Sequence, residues 1–299
     1  MVLARLCPRR RGEPPDRRED VATVDKTAAP PPPQVGHSTN LVGIPTPLLA
    51  SVAYNAHPVP LRIAGVREMN KSFFTMLDDS PTLTDAADAF HKYMAAMFDL
   101  EPEQHEKARK ADGVRRFRSS YLRLFKGWGY DNNSPEGAVL KGWVESRFGL
   151  FPTFHKEAIL QVGSPSWACY IAEKMTSRFH NNSIYVQLDI MYAFCQWALE
   201  RFVAPGHSHL TLWRGVNDYN EHQMVERLGK RRAVIRMNNL ISFSSEREIA
   251  GCFGDHILEA RVPMPKIVFF SRLLPVHPLK GEDEFLVIGG DYEVGVSYF

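Results

Sequence analysis

The chain has 299 residues, 44% of them hydrophobic and 23% charged, with a formal net charge of +2. That is length enough for one large globular domain or two small ones, and the near-balance of charge argues against a broad nucleic-acid footprint. No apolar run approaches the roughly 18 residues that span a bilayer. The cysteines Cys7, Cys169, Cys195 and Cys252 form no CxxC or Cys/His cluster, so reduced thiols in a cytoplasmic protein fit better than a disulfide framework or zinc site.

The first segment is rich in Arg, Asp and Pro. Arg9, Arg10 and Arg11 are followed by no apolar stretch, so they do not head a secretory signal. Glu13, Asp16, Glu19 and Asp20 interrupt any basic arm, and a proline run closes the segment at 30–33. Residues 1–34 carry too little apolar surface to order themselves and read as a disordered tail. The structured chain is expected from residue 35, and 35–299 as one compact unit.

Residues 35–205 read as mainly helical. Ala86, Ala87, Phe90, Tyr93, Met94, Met97 and Phe98 repeat at three-and-four spacing, as do Leu188, Met191, Tyr192, Cys195, Ala198, Leu199 and Phe202. Each set predicts the core-facing stripe of an amphipathic helix. Between them, residues 115–155 mix Arg, Trp, Tyr and Phe with Asp131, Glu136 and Glu145. Such a mix could stack bases, but the interspersed acids favour a loop-rich packing region or a protein-docking surface.

Residues 206–299 turn β-rich. The runs 210–216, 233–243, 256–262, 266–270, 284–288 and 292–298 have strand length and composition. Gly289, Gly290 and Asp291 suggest a tight turn, hence a terminal hairpin. Capping-box spacing predicts short helices from Asp218 with Glu221 and from Ser245 with Glu248. The fold class is therefore α+β, a helical N-terminal part packed on a C-terminal β-rich part.

Three polar signatures sit at strand ends in that part. Arg214 can fork onto phosphate oxygens, and Gly215 beside it would let the backbone turn and a ligand approach. Ser242 and Ser244 share one strand face, with Phe243 on the other. Their hydroxyls can bind ribose or position a carboxylate, while Ser245 is expected to cap the following helix. Phe253 could stack on a planar heterocycle. Glu282 and Glu284 alternate onto one face, and two acids so close raise the proton affinity of the pair. Singly, each signature is ordinary. Together they suit a dinucleotide held by its phosphates and attacked at a sugar carbon.

This order of Arg, Ser-x-Ser and Glu-x-Glu resembles the arginine-specific mono-ADP-ribosyltransferases of the R-S-E class. The stretches GHSTNLVGIP, SRFHNNSIYVQLD and LLPVHPLKGEDEFLVIGGDY, with the block beginning FRSSYLRLFKGWGYDNNSPEG, resemble the dinitrogenase reductase ADP-ribosyltransferase family of nitrogen-fixing bacteria. The resemblance covers nearly all of the chain beyond the tail. It implies a C-terminal ADP-ribosyltransferase-like core of two small sheets around an NAD cleft. It also implies NAD as substrate, no metal, and ADP-ribose transfer to an arginine of the nitrogenase iron protein. The modification turns nitrogen fixation off, and a PII-type signalling protein is an implied regulatory partner.

Carried onto this chain, the resemblance gives Arg214 the NAD pyrophosphate and Ser242 the nicotinamide-side ribose and the catalytic acid. Glu284 would stabilise charge at the anomeric carbon, and Glu282 would orient and deprotonate the incoming guanidinium. Phe243 stands where many relatives have Thr, while both serines of the motif are kept. The block 115–155 is the candidate for recognising the acceptor, with Arg118, Lys126 and Trp128 as its test positions.

A non-catalytic NAD or ADP-ribose binder and a free NAD glycohydrolase remain alternatives to the transferase. A nucleic-acid binder does not suit the charge. His37, His155, His180 and His277 lack the spacing of a metal-ligand set and are given no role.

Overall fold

A computed structural model describes residues 35–100, 119–176, 178–217, 222–275, 278–279 and 283–298. The tail 1–34 lies outside the described residues, as do Arg118, Asp218, Glu221, His277 and Glu282. Short helices α1 (Thr46–Leu49), α2 (Val52–Ala56), α3 (Val66–Met69) and α4 (Lys71–Asp78) precede the longer α5 (Leu83–Phe98). The Thr82 hydroxyl starts α5 by accepting the Asp85 N–H. Ala86, Ala87, Phe90, Met94 and Phe98 of its stripe are buried, whereas Met97 in the last turn is exposed.

The aromatic and basic middle of the chain is not loop-rich. It folds into α6 (Tyr121–Tyr130) and α7 (Pro135–Phe148). Ser120 and Ser134 cap them by accepting the N–H groups of Arg123 and Gly137, and Pro135 preorganises the first turn of α7. Most of α7 is buried, as is the stripe Tyr121, Leu124, Phe125 and Trp128 of α6, so much of the described block packs into the core. A two-residue hairpin follows, β1 (Phe154–His155) with β2 (Glu157–Ala158), then α8 (Pro165–Lys174).

Helix α9 (Ile184–Ala198) is buried almost all round rather than along one stripe, which marks it as the central helix of the molecule. Phe194 stacks on Phe90 at 4.4 Å between ring centroids, and the Gln196 amide donates to the Ile267 carbonyl at 2.7 Å. Arg147 and the Trp143 indole both donate to Asp189, tying α7 to α9. Among the described residues no helix is long and apolar enough to cross a membrane.

The remaining strands are β3 (His209–Val216), β4 (Gln223–Arg227), β5 (Arg232–Ser244), β6 (His256–Pro263), β7 (Ile267–Phe270) and β8 (Glu284–Tyr298). Instead of two separate small sheets they form one six-stranded antiparallel sheet. The reason is β8. Its first half pairs with β7 and the end of β5, and its second half with β6 and the start of β5. β3 lies beside β6 and touches β5 through Trp213 and Ser244.

The expected terminal hairpin is therefore absent. Gly289 and Gly290 lie inside β8, opposite an irregularity of β5 between Met237 and Leu240. A side chain on Gly289 would overlap the Asn238 carbonyl. Gly290, at φ 112°, lets the strand pass the backbone of Ala50, whose carbonyl accepts the Asp291 N–H at 2.7 Å. The strand β4 was not anticipated, and it follows directly where a helix from Asp218 was expected. One contiguous hydrophobic core spans helices and sheet; Phe125 of α6 stacks on Phe269 of β7 at 4.3 Å within it.

Candidate active site

Strand β3 carries Arg214 to the rim of a cleft of about 720 Å³, within the size range of small-molecule and cofactor sites. One guanidinium N–H donates to the Ser242 carbonyl at 2.9 Å, and Nε donates to His222 Nε2 at 3.3 Å. The buried His222 was not singled out from the sequence, since nothing in its neighbourhood marks it as a support for Arg214. Gly215 does not turn the chain; it is paired within β3. Its missing side chain is required because the backbone of α10 (Arg247–Gly251) lies on it, and a Cβ would overlap the Ala250 carbonyl oxygen.

The end of β5 supplies the serines. The Ser242 hydroxyl donates to Glu284 Oε1 at 2.6 Å, the short distance of a charge-assisted bond. Phe243 alternates to the other face and is buried against Tyr292, so its ring packs into the core. Ser244 pairs with Glu284 across the sheet, and its hydroxyl accepts the Glu246 N–H at 3.0 Å. Glu246 is the N-cap residue of α10 and makes no side-chain cap, so Ser244, one residue earlier than expected, holds the turn and Ser245 does not cap. Phe253 is 65% exposed and lines the cleft beyond α10.

Glu284 is the first residue of β8. Asp283 before it is left-handed at φ 58° and pairs with Arg272 at 2.6 Å, so regular strand alternation begins only at Glu284. Burial pushes the Glu284 carboxyl pKa above its ordinary value; hydrogen bonds from Ser242 and Trp128 and the charge of Arg214 oppose that without cancelling it. An acid so held, in a cleft beside an arginine, has the character of a functional group.

The structure adds one residue from the helical part. The Trp128 indole N–H donates to Ser242 Oγ at 3.0 Å, and Tyr130, Asp131 and Asn132 continue the same wall of the cleft. A tryptophan at the end of a buried helical stripe needs a partner for its N–H. That was the available signal, but its partner lies 114 residues away.

A family model described as dinitrogenase reductase ADP-ribosyltransferase matches residues 39–296, and the chain belongs to that family. A relative from Rhodospirillum rubrum, named NAD(+)--dinitrogen-reductase ADP-D-ribosyltransferase, is 66% identical over 267 residues. The match covers 89% of this chain and 97% of the relative. No solved structure matches the chain.

Proposed function

We propose that this chain is an NAD-dependent mono-ADP-ribosyltransferase that moves ADP-ribose from NAD to an arginine of dinitrogenase reductase, releasing nicotinamide and switching nitrogen fixation off. The observation that carries the site assignment is the Ser242–Glu284 hydrogen bond at 2.6 Å beside Arg214 in one cleft. The acceptor rests on family membership and on the relative's name.

NAD fits the groups present. Arg214 offers the fork that suits a pyrophosphate, Phe253 an exposed ring for a heterocycle, and Glu284 a fixed negative charge. Breaking the bond between the ribose anomeric carbon and the nicotinamide nitrogen sends the electron pair to the ring, which leaves neutral. The positive charge left on the sugar is stabilised by the preorganised Glu284 carboxylate, as in glycoside hydrolysis. A guanidino nitrogen then bonds to that carbon and loses a proton. Because a guanidinium has a pKa above about 12, a carboxylate must receive the proton as the bond forms. We assign this to Glu282 on the resemblance of the Glu-x-Glu motif.

The test is incubation of the protein with labelled NAD and purified dinitrogenase reductase. Label should reach an arginine of the acceptor, and Glu284→Gln should bind NAD yet lose transfer by about two orders of magnitude or more, as expected when a transition-state group is removed. Label found only in free ADP-ribose would make the chain a glycohydrolase, and undiminished transfer by Glu284→Gln would remove Glu284 from the chemistry.

A further inference from the structure

We propose that Trp128 is a positioning residue for the transfer step, committing the Ser242 hydroxyl proton to Glu284 and so holding that carboxylate aimed into the cleft. This rests on the transferase reading above and extends it to a residue outside the three strand-borne signatures.

The chemistry of the donors fixes the direction of the bonds. An indole nitrogen can only donate, and a serine hydroxyl has one proton and two lone pairs. At 3.0 Å from Trp128 Nε1, Ser242 Oγ must accept there. Its single proton is then directed to Glu284 Oε1 at 2.6 Å. Without the indole N–H the hydroxyl could turn away, and the carboxylate would lose its fixed partner.

The indole itself is held on several sides. Trp128 is buried in the stripe that includes Phe125, and Phe125 is stacked on Phe269 of the sheet. The Lys141 ammonium lies 6.0 Å from the centre of the Trp128 ring, a separation at which a cation is attracted to the aromatic face. Lys141 in turn donates to the Asn133 side chain and the Phe154 carbonyl at 3.1 and 3.0 Å, and lies 3.3 Å from His155 Nδ1. Burial, then the neighbouring Lys141 charge, push the His155 pKa down to about 4. The neutral ring can therefore accept from Lys141 and donate to Glu173 at 2.9 Å. The lysine is thus anchored from below, and it backs the ring that orients Ser242.

The experiment compares the intact chain with Trp128→Phe, Ser242→Ala, the double variant and Glu284→Gln, using labelled NAD and dinitrogenase reductase. Trp128→Phe should lower kcat about tenfold, the range of one hydrogen bond in a charged network, with KM for NAD little changed. The acid limb of its pH profile should move upward, because an interaction favouring the ionised Glu284 is gone. In the Ser242→Ala background the same substitution should cost clearly less than in the intact chain, since much of the Trp128 effect runs through that hydroxyl and only its own interaction with Glu284 remains.

Site-specific replacement of Trp128 by benzothienylalanine keeps the ring and removes only the N–H. It should reproduce the kcat loss even if Trp128→Phe folds poorly. Effects of Trp128→Phe and Ser242→Ala that multiply, a change confined to KM, or a normal kcat in the benzothienyl protein would each overturn the proposal. If Glu284→Gln is inactive while the benzothienyl protein is normal, only this inference fails. If Glu284→Gln retains transfer, the reading beneath it fails.

Discussion

At the scale of the residue, Glu284 is held in a state the fold does not favour. Its pKa is raised by burial against the pull of Ser242, Trp128 and Arg214, so the folded chain binds that proton more readily than the unfolded chain. The favourable contribution is present at acid pH and is lost as pH rises through the unfolded and then the folded value. Glu284→Gln should therefore unfold at a higher temperature than the intact protein at pH 7–8, with the gap closing as pH falls below the ordinary glutamate range. Thermal melts of both proteins across that range check it. Activity should run the opposite way, falling with pH as Glu284 protonates. Arg214, Ser242 and Glu284 were legible in the sequence because each ends an apolar strand and each has few chemical uses. Trp128 and His222 were not, because their importance lies in which distant groups they touch.

Among the elements, α10 and β3 are in direct backbone contact at Gly215 and Ala250. Gly215→Ala should shift the helix off the strand and cost about 1–3 kcal/mol, the range for overpacking a well-filled site. Urea denaturation measures this, and an unchanged midpoint would mean the helix accommodates a methyl group freely. Strand positions were readable from composition, and β3, β5, β6 and β7 fall where the apolar runs put them. The continuity of β8 was not readable. Gly289-Gly290-Asp291 has the local chemistry of a turn, and only the irregularity of β5 opposite and the backbone of Ala50 beside it make those glycines part of a strand. The caps Ser120 and Ser134-Pro135 were present in the sequence as helix starts.

For the whole molecule, the helical and β-rich parts share one core and one cleft. The cleft takes Trp128 from one and Arg214, Ser242 and Glu284 from the other. Lys266 sits at their seam. It is fully buried, its amine donating to the Gly289 carbonyl at 3.2 Å between the rings of Tyr54 and Tyr292. Burial lowers its pKa from 10.5 to about 7, with the charge of Asp291 opposing. Between those values the unfolded chain binds the extra proton, so Lys266 makes stability rise with pH. Lys266→Met should flatten that rise between pH 7 and 9, below the point near pH 10 where tyrosines of the unfolded chain ionise. Denaturation midpoints of the two proteins over that window decide it, and parallel curves would show that the amine stays charged in the fold.

Ser242 has a double life with a practical consequence. Its side chain serves Trp128 and Glu284, while its carbonyl oxygen receives Arg214. Side-chain replacement at this position silences the first task and leaves the second intact. Alanine scanning will consequently under-report residue 242, because half of its work is done by an atom that every amino acid possesses. The main chain here couples the Arg214 guanidinium to the strand end that holds Glu284, and only a backbone change, such as an ester in place of the amide that bears this carbonyl, would expose it.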